Sequence, residues 1–153
     1  MAVPVFKNLT QETGTEVYFT NALITELERS NIVSVADKSV AQVTIEGTIK
    51  SITYTPSSQT RAADARYLPA GTVLTTEYYV NVDVDLVAKR NSDQKVVWTS
   101  QFKSRRSYTA PRIGIRSLNS ANALYNHSAR YQNVQAIATD MMTEAHDRLT
   151  ENF

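Results

Sequence analysis

The chain contains no cysteine, so disulfides, thiol nucleophiles and thiolate metal sites are all excluded. Histidine is nearly as scarce. His127 and His146 are the only two, they are not at ligand spacing, and without a His-x-x-x-His or Cys-x-x-Cys pattern no zinc site is expected. The four glycines, Gly14, Gly47, Gly71 and Gly114, lie far apart. No glycine-rich loop can therefore be built to cradle a phosphate. The serines and threonines lack the Gly-x-Ser-x-Gly context of a nucleophile elbow. No apolar run of about 20 residues is present to cross a bilayer as a helix, and no signal peptide is visible, because Met1 leads straight into Ala2-Val3-Pro4-Val5-Phe6. The expectation is a protein with no catalytic residues, no metal and no cofactor.

What is present suits one globular domain spanning residues 1–153. The chain is 42% hydrophobic and 20% charged, enough to bury a core, and its length falls in the usual single-domain range. Val3-Pro4-Val5-Phe6 reads as a strand, and Pro4, which has no amide hydrogen, assigns it to a sheet edge. A helix follows from Glu16 to Arg29, with Thr13 or Thr15 as its cap. Phe19, Leu23 and Leu27 share one face of that helix, with Ile24 beside them. Ser30-Asn31 stops it, and Ile32–Val35 reads as a short extended segment.

Ala41, Val43, Ile45 and Ile49 share one parity, the signature of a half-buried strand. The apolar parity then switches to Ile52 and Tyr54, which predicts a β-bulge at Lys50-Ser51. Gly47 inside that run marks a close backbone approach. Residues Thr55 to Thr72, with Pro56, Pro69 and Gly71, read as a long mobile loop. Tyr78, Val80, Val82, Val84, Leu86 and Ala88 then alternate with Tyr79, Asn81, Asp83 and Asp85. After a turn at Asn91-Ser92-Asp93 the alternation resumes at Val96, Trp98, Ser100 and Phe102, giving an antiparallel hairpin. Thr109 to Asn133 reads as irregular, apart from a helical turn at Ser120 to Tyr125. The last helix is marked by Val134, Ile137, Ala138, Met141, Ala145, Leu149 and Phe153 on one stripe. The order β-α-β-β-β-β-α implies an α/β (α+β) two-layer sandwich: two amphipathic helices on one face of a mostly antiparallel, mixed sheet.

Asp83 and Asp85 are paired carboxylates at a spacing that acid–base chemistry uses, but they occupy the polar half of a strict alternation, and a solvated sheet face accounts for them. His146 reads as a partly exposed helix histidine, and His127 falls in a polar loop. Charge is the feature that stands out. From Gln94 to Thr139 there is no Asp or Glu, while Lys95, Lys103, Arg105, Arg106, Arg112, Arg116 and Arg130 all lie in that stretch. The overall charge of +1 hides this asymmetry. Arginines suit phosphate or carboxylate through their bidentate fork, and such a segment makes an anion-binding surface. The competing explanation is a solvated basic edge that discourages sheet-to-sheet pairing.

The run Val3-Pro4-Val5-Phe6-Lys7-Asn8-Leu9-Thr10 resembles the opening of the mature lipopolysaccharide-assembly lipoproteins of the LptE family, with their Val-Pro-x-Phe-x-Asn-x-Thr pattern. The likeness continues through Gly14-Thr15-Glu16, Phe19 to Leu27, the Ala41–Ile52 strand with Gly47, and the hairpin at Val97-Trp98. Thr15 stands where the family usually has leucine, and the lipid-bearing cysteine is not in this chain. The resemblance implies a non-enzymatic lipoprotein on the periplasmic face of the outer membrane, held by an N-terminal lipid anchor that is missing from this sequence, the signal peptide and lipobox being taken as removed from it. It implies an LptD-like β-barrel that the protein plugs and helps assemble, and lipopolysaccharide as ligand. Lys103, Arg105, Arg106, Arg112 and Arg116 are then the candidate lipopolysaccharide-binding residues, chosen by charge rather than by a family motif. The alternatives are an auxiliary lipoprotein of another envelope transport system or a cytoplasmic nucleic-acid-binding domain. Against the latter, the basic segment has no aromatic ribonucleoprotein motif, so nucleic acid is not expected as a partner.

Overall fold

A computed structural model describes residues 1–31, 33–61, 73–109, 113–115, 118–119 and 123–151. The elements are β1 (Lys7–Asn8), α1 (Thr15–Ser30), β2 (Val43–Arg61), β3 (Val73–Arg90), β4 (Val96–Thr109), β5 (Ile113–Ile115), β6 (Leu118–Asn119) and α2 (Ala123–Thr150). Strands β1 to β4 form one sheet in sequence order, with β1 parallel to β2 and the other pairs antiparallel. The short β5 and β6 pair with each other. Both helices cover one face of the main sheet, which is the expected α+β sandwich.

The core forms where the two periodicities meet. Ile45 and Ile49 of β2, Val80, Val82, Val84, Leu86 and Ala88 of β3 and Phe102 of β4 point toward the helices and are buried. From α1 come Phe19, Leu23 and Leu27, and from α2 Val134, Ile137, Ala138, Met141, Met142, Ala145 and Leu149. Trp98 packs at the margin, its ring 6.3 Å from that of Phe102.

The N-terminal segment lies at a sheet edge, but the strand is not where it was expected: Val3–Phe6 are not paired as a strand, and β1 is Lys7–Asn8. Ala2 bonds to β2 at Val43 and Ile45, and Leu9 bonds to Ile49. Pro4 and Val5 lie exposed between these two contacts. Phe6 turns inward, stacks on Phe19 and lies directly over Gly47, the close approach that the glycine marks. The register between β2 and β3 shifts between Ile49 and Ser51, so the bulge falls where the parity changes.

Several expectations are corrected. Neither Thr13 nor Thr15 caps α1: Gly14 occupies the cap position with φ 88° and no side-chain cap. The first turn is fastened from β1 instead. The Asn8 amide donates to Glu16 Oε2 at 2.8 Å and to the Glu12 carbonyl at 2.9 Å, while Asn8 Oδ1 accepts from the Thr10 amide at 2.8 Å. Residues 33–35 form no strand, and Ile32 lies outside the described residues. Residues 55–72 are not all loop, because β2 and β3 continue as a paired arm to Arg61 and Val73. A register shift between Pro56 and Ser58 lets the ladder tolerate the proline. Residues 62–72, the remainder of the expected mobile loop, lie outside the described residues. The last helix begins at Ala123, well before Val134, so residues 123–133 of the segment read as irregular are its first turns. Phe153 lies outside the described residues.

The Asn8 tether also makes stability depend on pH. The Glu16 carboxylate is held below the usual 4.5 by its own backbone N–H first, then by the Asn8 amide and the Gly14 N–H, against an opposing effect of burial. A carboxylate depressed in the folded state stabilises it above the ordinary pKa, and this contribution is lost as pH falls through the lowered value. Urea midpoints of wild type and Glu16→Gln should therefore differ at neutral pH and converge as pH falls below the ordinary glutamate range. A constant difference across that range would refute the role given to Glu16.

Candidate functional site: the basic strand and the outer sheet face

Alternation along β4 sends successive side chains to opposite faces, and this splits the predicted basic cluster. Lys103 and Arg105 are on the face away from the helices, opposite Asp83 and Asn81 of β3. Arg106 points the other way and meets Asp140 of α2 at 3.3 Å. Arg112 and Arg116 lie outside the described residues. The structure thus brings together Lys103 and Arg105 and separates Arg106 from them.

The Lys103–Arg105 surface has its own local order. Lys103 is 68% exposed and its ammonium is 3.7 Å from Asp83. The Gln101 amide donates to the same carboxylate at 3.0 Å. Arg105 Nε donates to Asn81 Oδ1 at 2.9 Å, and its guanidinium lies 4.8 Å from the centre of the Tyr79 ring. That contact is a cation–π pair that holds the head in place while leaving N–H groups free to bind an anion. Ser51, Asn81, Asp83, Lys103 and Arg105 surround a shallow depression of about 310 Å³. A shallow, solvent-open surface with fixed donors suits a large anionic partner better than a small enclosed substrate.

Asp83 and Asp85 behave as a solvated strand face. Asp83 is held by Gln101 and Lys103, and Asp85 meets Lys50 at 3.1 Å. Among the described residues no group of three or more His, Asp or Glu is placed to hold a metal. His127 lies on α2 rather than in a loop, edge-on to Tyr131 at 4.6 Å. His146 is buried, not partly exposed. Its Nδ1 is 3.2 Å from Asp147, and Nε2 has no hydrogen-bond partner among the described residues.

A second cluster went unnoticed in the sequence. Tyr78 and Tyr108 stack at 5.7 Å across the β3–β4 ladder, and the Arg130 guanidinium lies 4.7 Å from the centre of the Tyr54 ring. Burial first, then the neighbouring Glu12 carboxylate, pushes the Tyr54 hydroxyl above its ordinary pKa. Hydrogen bonding to Tyr108 raises that of Arg130. Tyr131 of α2 meets Tyr18 of α1 edge-on and donates to the Thr13 carbonyl at 3.3 Å. These tyrosines gather at the end of the sheet from which the β2–β3 arm projects. Arg130 was visible as part of the acid-free segment, but its tyrosine partners are set by strand register, which composition does not reveal.

The architecture recurs among solved structures. Protein XCC0632 from Xanthomonas campestris aligns with a TM-score of 0.53 at 10% identity, over 99% of this chain and 87% of that one. The PelC dodecamer from Paraburkholderia phytofirmans gives 0.51 at 15%, over 94% and 81%. A putative lipoprotein from Caulobacter crescentus CB15 gives 0.51 at 9%, over 97% and 93%. At such identities these likenesses show a common fold. No curated protein matches the sequence. The sequence model of the LptE family, described as lipopolysaccharide-assembly, matches residues 1–152, and the chain therefore belongs to the LptE family, a non-catalytic family of Gram-negative envelope lipoproteins.

Proposed function

We propose that this protein is the outer-membrane lipoprotein subunit that plugs and helps assemble an LptD-like β-barrel and binds lipopolysaccharide on its way to the cell surface. Family membership supports the assembly role. The observation that carries the ligand reading is the pairing of Lys103 and Arg105 on the outer face of an edge strand, within a segment free of Asp and Glu. Two neighbouring cations beside a shallow depression fit the phosphates of lipid A and the inner core, since charge-assisted bonds to phosphate are among the stronger polar contacts. The tyrosine-rich end and the projecting arm are the parts assigned to the barrel lumen. Tyrosines supply broad contact area with a polar tip, which suits a large wet interface.

The test is direct binding of purified protein to lipopolysaccharide, with duplex DNA as the control ligand. Lys103→Glu/Arg105→Glu is expected to weaken lipopolysaccharide binding by tenfold or more, roughly 1.4 kcal/mol. Arg106→Glu, on the opposite face, should have a smaller effect. Dephosphorylated lipopolysaccharide should bind like the double variant binds the native lipid. Unchanged affinity in Lys103→Glu/Arg105→Glu, or equal binding to DNA, would remove the site assignment.

A further inference from the structure

The two edges of the main sheet are built differently. At one edge the chain pairs with β2 only at Ala2 and from Lys7 to Leu9, with Pro4 and Val5 exposed between these contacts. At the other edge lies β4, whose pairing with β3 is unbroken from Glu77↔Thr109 to Ala88↔Trp98. Over Trp98 to Thr109 it contains no proline, no glycine and no bulge, and most of its solvent-face side chains are exposed. No described strand pairs with its second edge. Proteins ordinarily blunt a long, regular edge with prolines, bulges or short length, because its free N–H and C=O groups template another strand.

The only device left on β4 is charge, and it is of one sign: Lys103, Arg105 and Arg106. Like charges placed opposite one another across a strand pair are destabilising. A second copy of β4 is therefore a poor partner for this edge, whereas an acidic strand is a good one. Opposite-charge cross-strand pairs add to the main-chain ladder, and ladder bonds plus alternate side-chain contacts make up recognition by strand addition.

We infer that the free edge of β4 docks an extended acidic segment of a partner protein, added to the sheet as a further strand. Carboxylates two residues apart on that segment face Lys103 and Arg105. Recognition here runs through the backbone, so it goes beyond the phosphate contacts proposed above and is tested without lipopolysaccharide.

The probe is a short capped peptide alternating Glu and Val, titrated into the full chain and followed by backbone amide NMR. The expected result is saturable binding, with shifts and slowed amide exchange concentrated between Thr99 and Ser107. The same peptide methylated on every amide nitrogen keeps its length and charge but loses its donors, and should bind at least about tenfold more weakly. Lys103→Gln/Arg105→Gln should weaken the unmethylated peptide to a similar degree. Equal binding of the methylated peptide would reduce the contact to charge attraction and overturn the proposal. So would shifts lying mainly outside β4, absence of binding, or a dimer in sedimentation whose β4 amides are already protected.

Discussion

Ending the chain after Asn133 is expected to leave a polypeptide that does not fold cooperatively. The deleted segment carries Val134, Ile137, Met141, Met142 and Leu149, each at most 2% exposed, on the stripe of α2 that covers β3, β4 and α1. Burying a large aliphatic side chain contributes about 1.5–3 kcal/mol, so these five together supply roughly 7–15 kcal/mol, the scale of a whole domain's stability. Removal also exposes Val84, Leu86 and Phe102, which no other described element covers in its place. Helix α1 loses its own chief packing partner at the same time, because its apolar stripe of Phe19, Leu23 and Leu27 is buried largely against α2. Far-UV circular dichroism with urea titration gives the readout: no sigmoidal transition in the truncated chain, against a single one in the full chain. A milder form of the same test is Ile137→Ala, expected to cost about 2–5 kcal/mol. A truncated chain that kept a cooperative transition would show that sheet and α1 suffice, and the account of the core would be wrong.

The elements that were legible in the sequence are those in which burial and periodicity coincide. The alternation from Tyr78 to Ala88 could be read because one face of β3 packs on helices and the other meets solvent. The parity change at Lys50-Ser51 gave the bulge for the same reason. Legibility failed where structure persists without burial. The outer β2–β3 arm is held by its backbone ladder through polar residues such as Ser57, so no apolar alternation reports it. Among the described side chains, α2 before Val134 presents Ala129, Arg130 and Tyr131 rather than Leu, Ile or Val. The arginine stacks its head on Tyr54, and a pattern search for Leu, Ile and Val passes over it. The tether on the first turn of α1 was missed because it comes from Asn8, on a different element.

The basic site shows the same division. A run free of Asp and Glu is plain in composition, but composition cannot distribute side chains between two faces. Strand alternation then places Lys103 and Arg105 together and sends Arg106 to Asp140. The acid-free stretch is also less uniformly free to bind anions than its sequence suggests, because Asp83 and Asp140 reach it from other elements. Segregation by sequence does not carry over into segregation in space.

Gly47→Ala is expected to lower stability by about 1–3 kcal/mol, the usual cost of forcing extra volume into a packed core. A β-carbon at residue 47 would lie well inside van der Waals contact of Phe6 Cγ, Cδ2 and Cε2. Cγ is anchored next to the backbone, so the ring cannot swing clear without moving β1. Nor is there room behind it, since Phe6 is 3% exposed and its ring stacks on Phe19 at 6.4 Å. The backbone N–H of Phe6 is held as well, by Thr20 Oγ1 at 3.0 Å. Phe6→Ala should cost more, about 3–5 kcal/mol, because it empties the space between β2 and α1. The informative measurement is the double variant Gly47→Ala/Phe6→Ala. With the ring gone, the added methyl no longer clashes, and the pair should be less destabilised than the sum of the singles, by about 0.5–3 kcal/mol. Chemical denaturation of the four proteins closes that cycle. Strict additivity would mean that residue 47 is glycine for some reason other than Phe6, and the close approach would lose its role in seating the N-terminal strand.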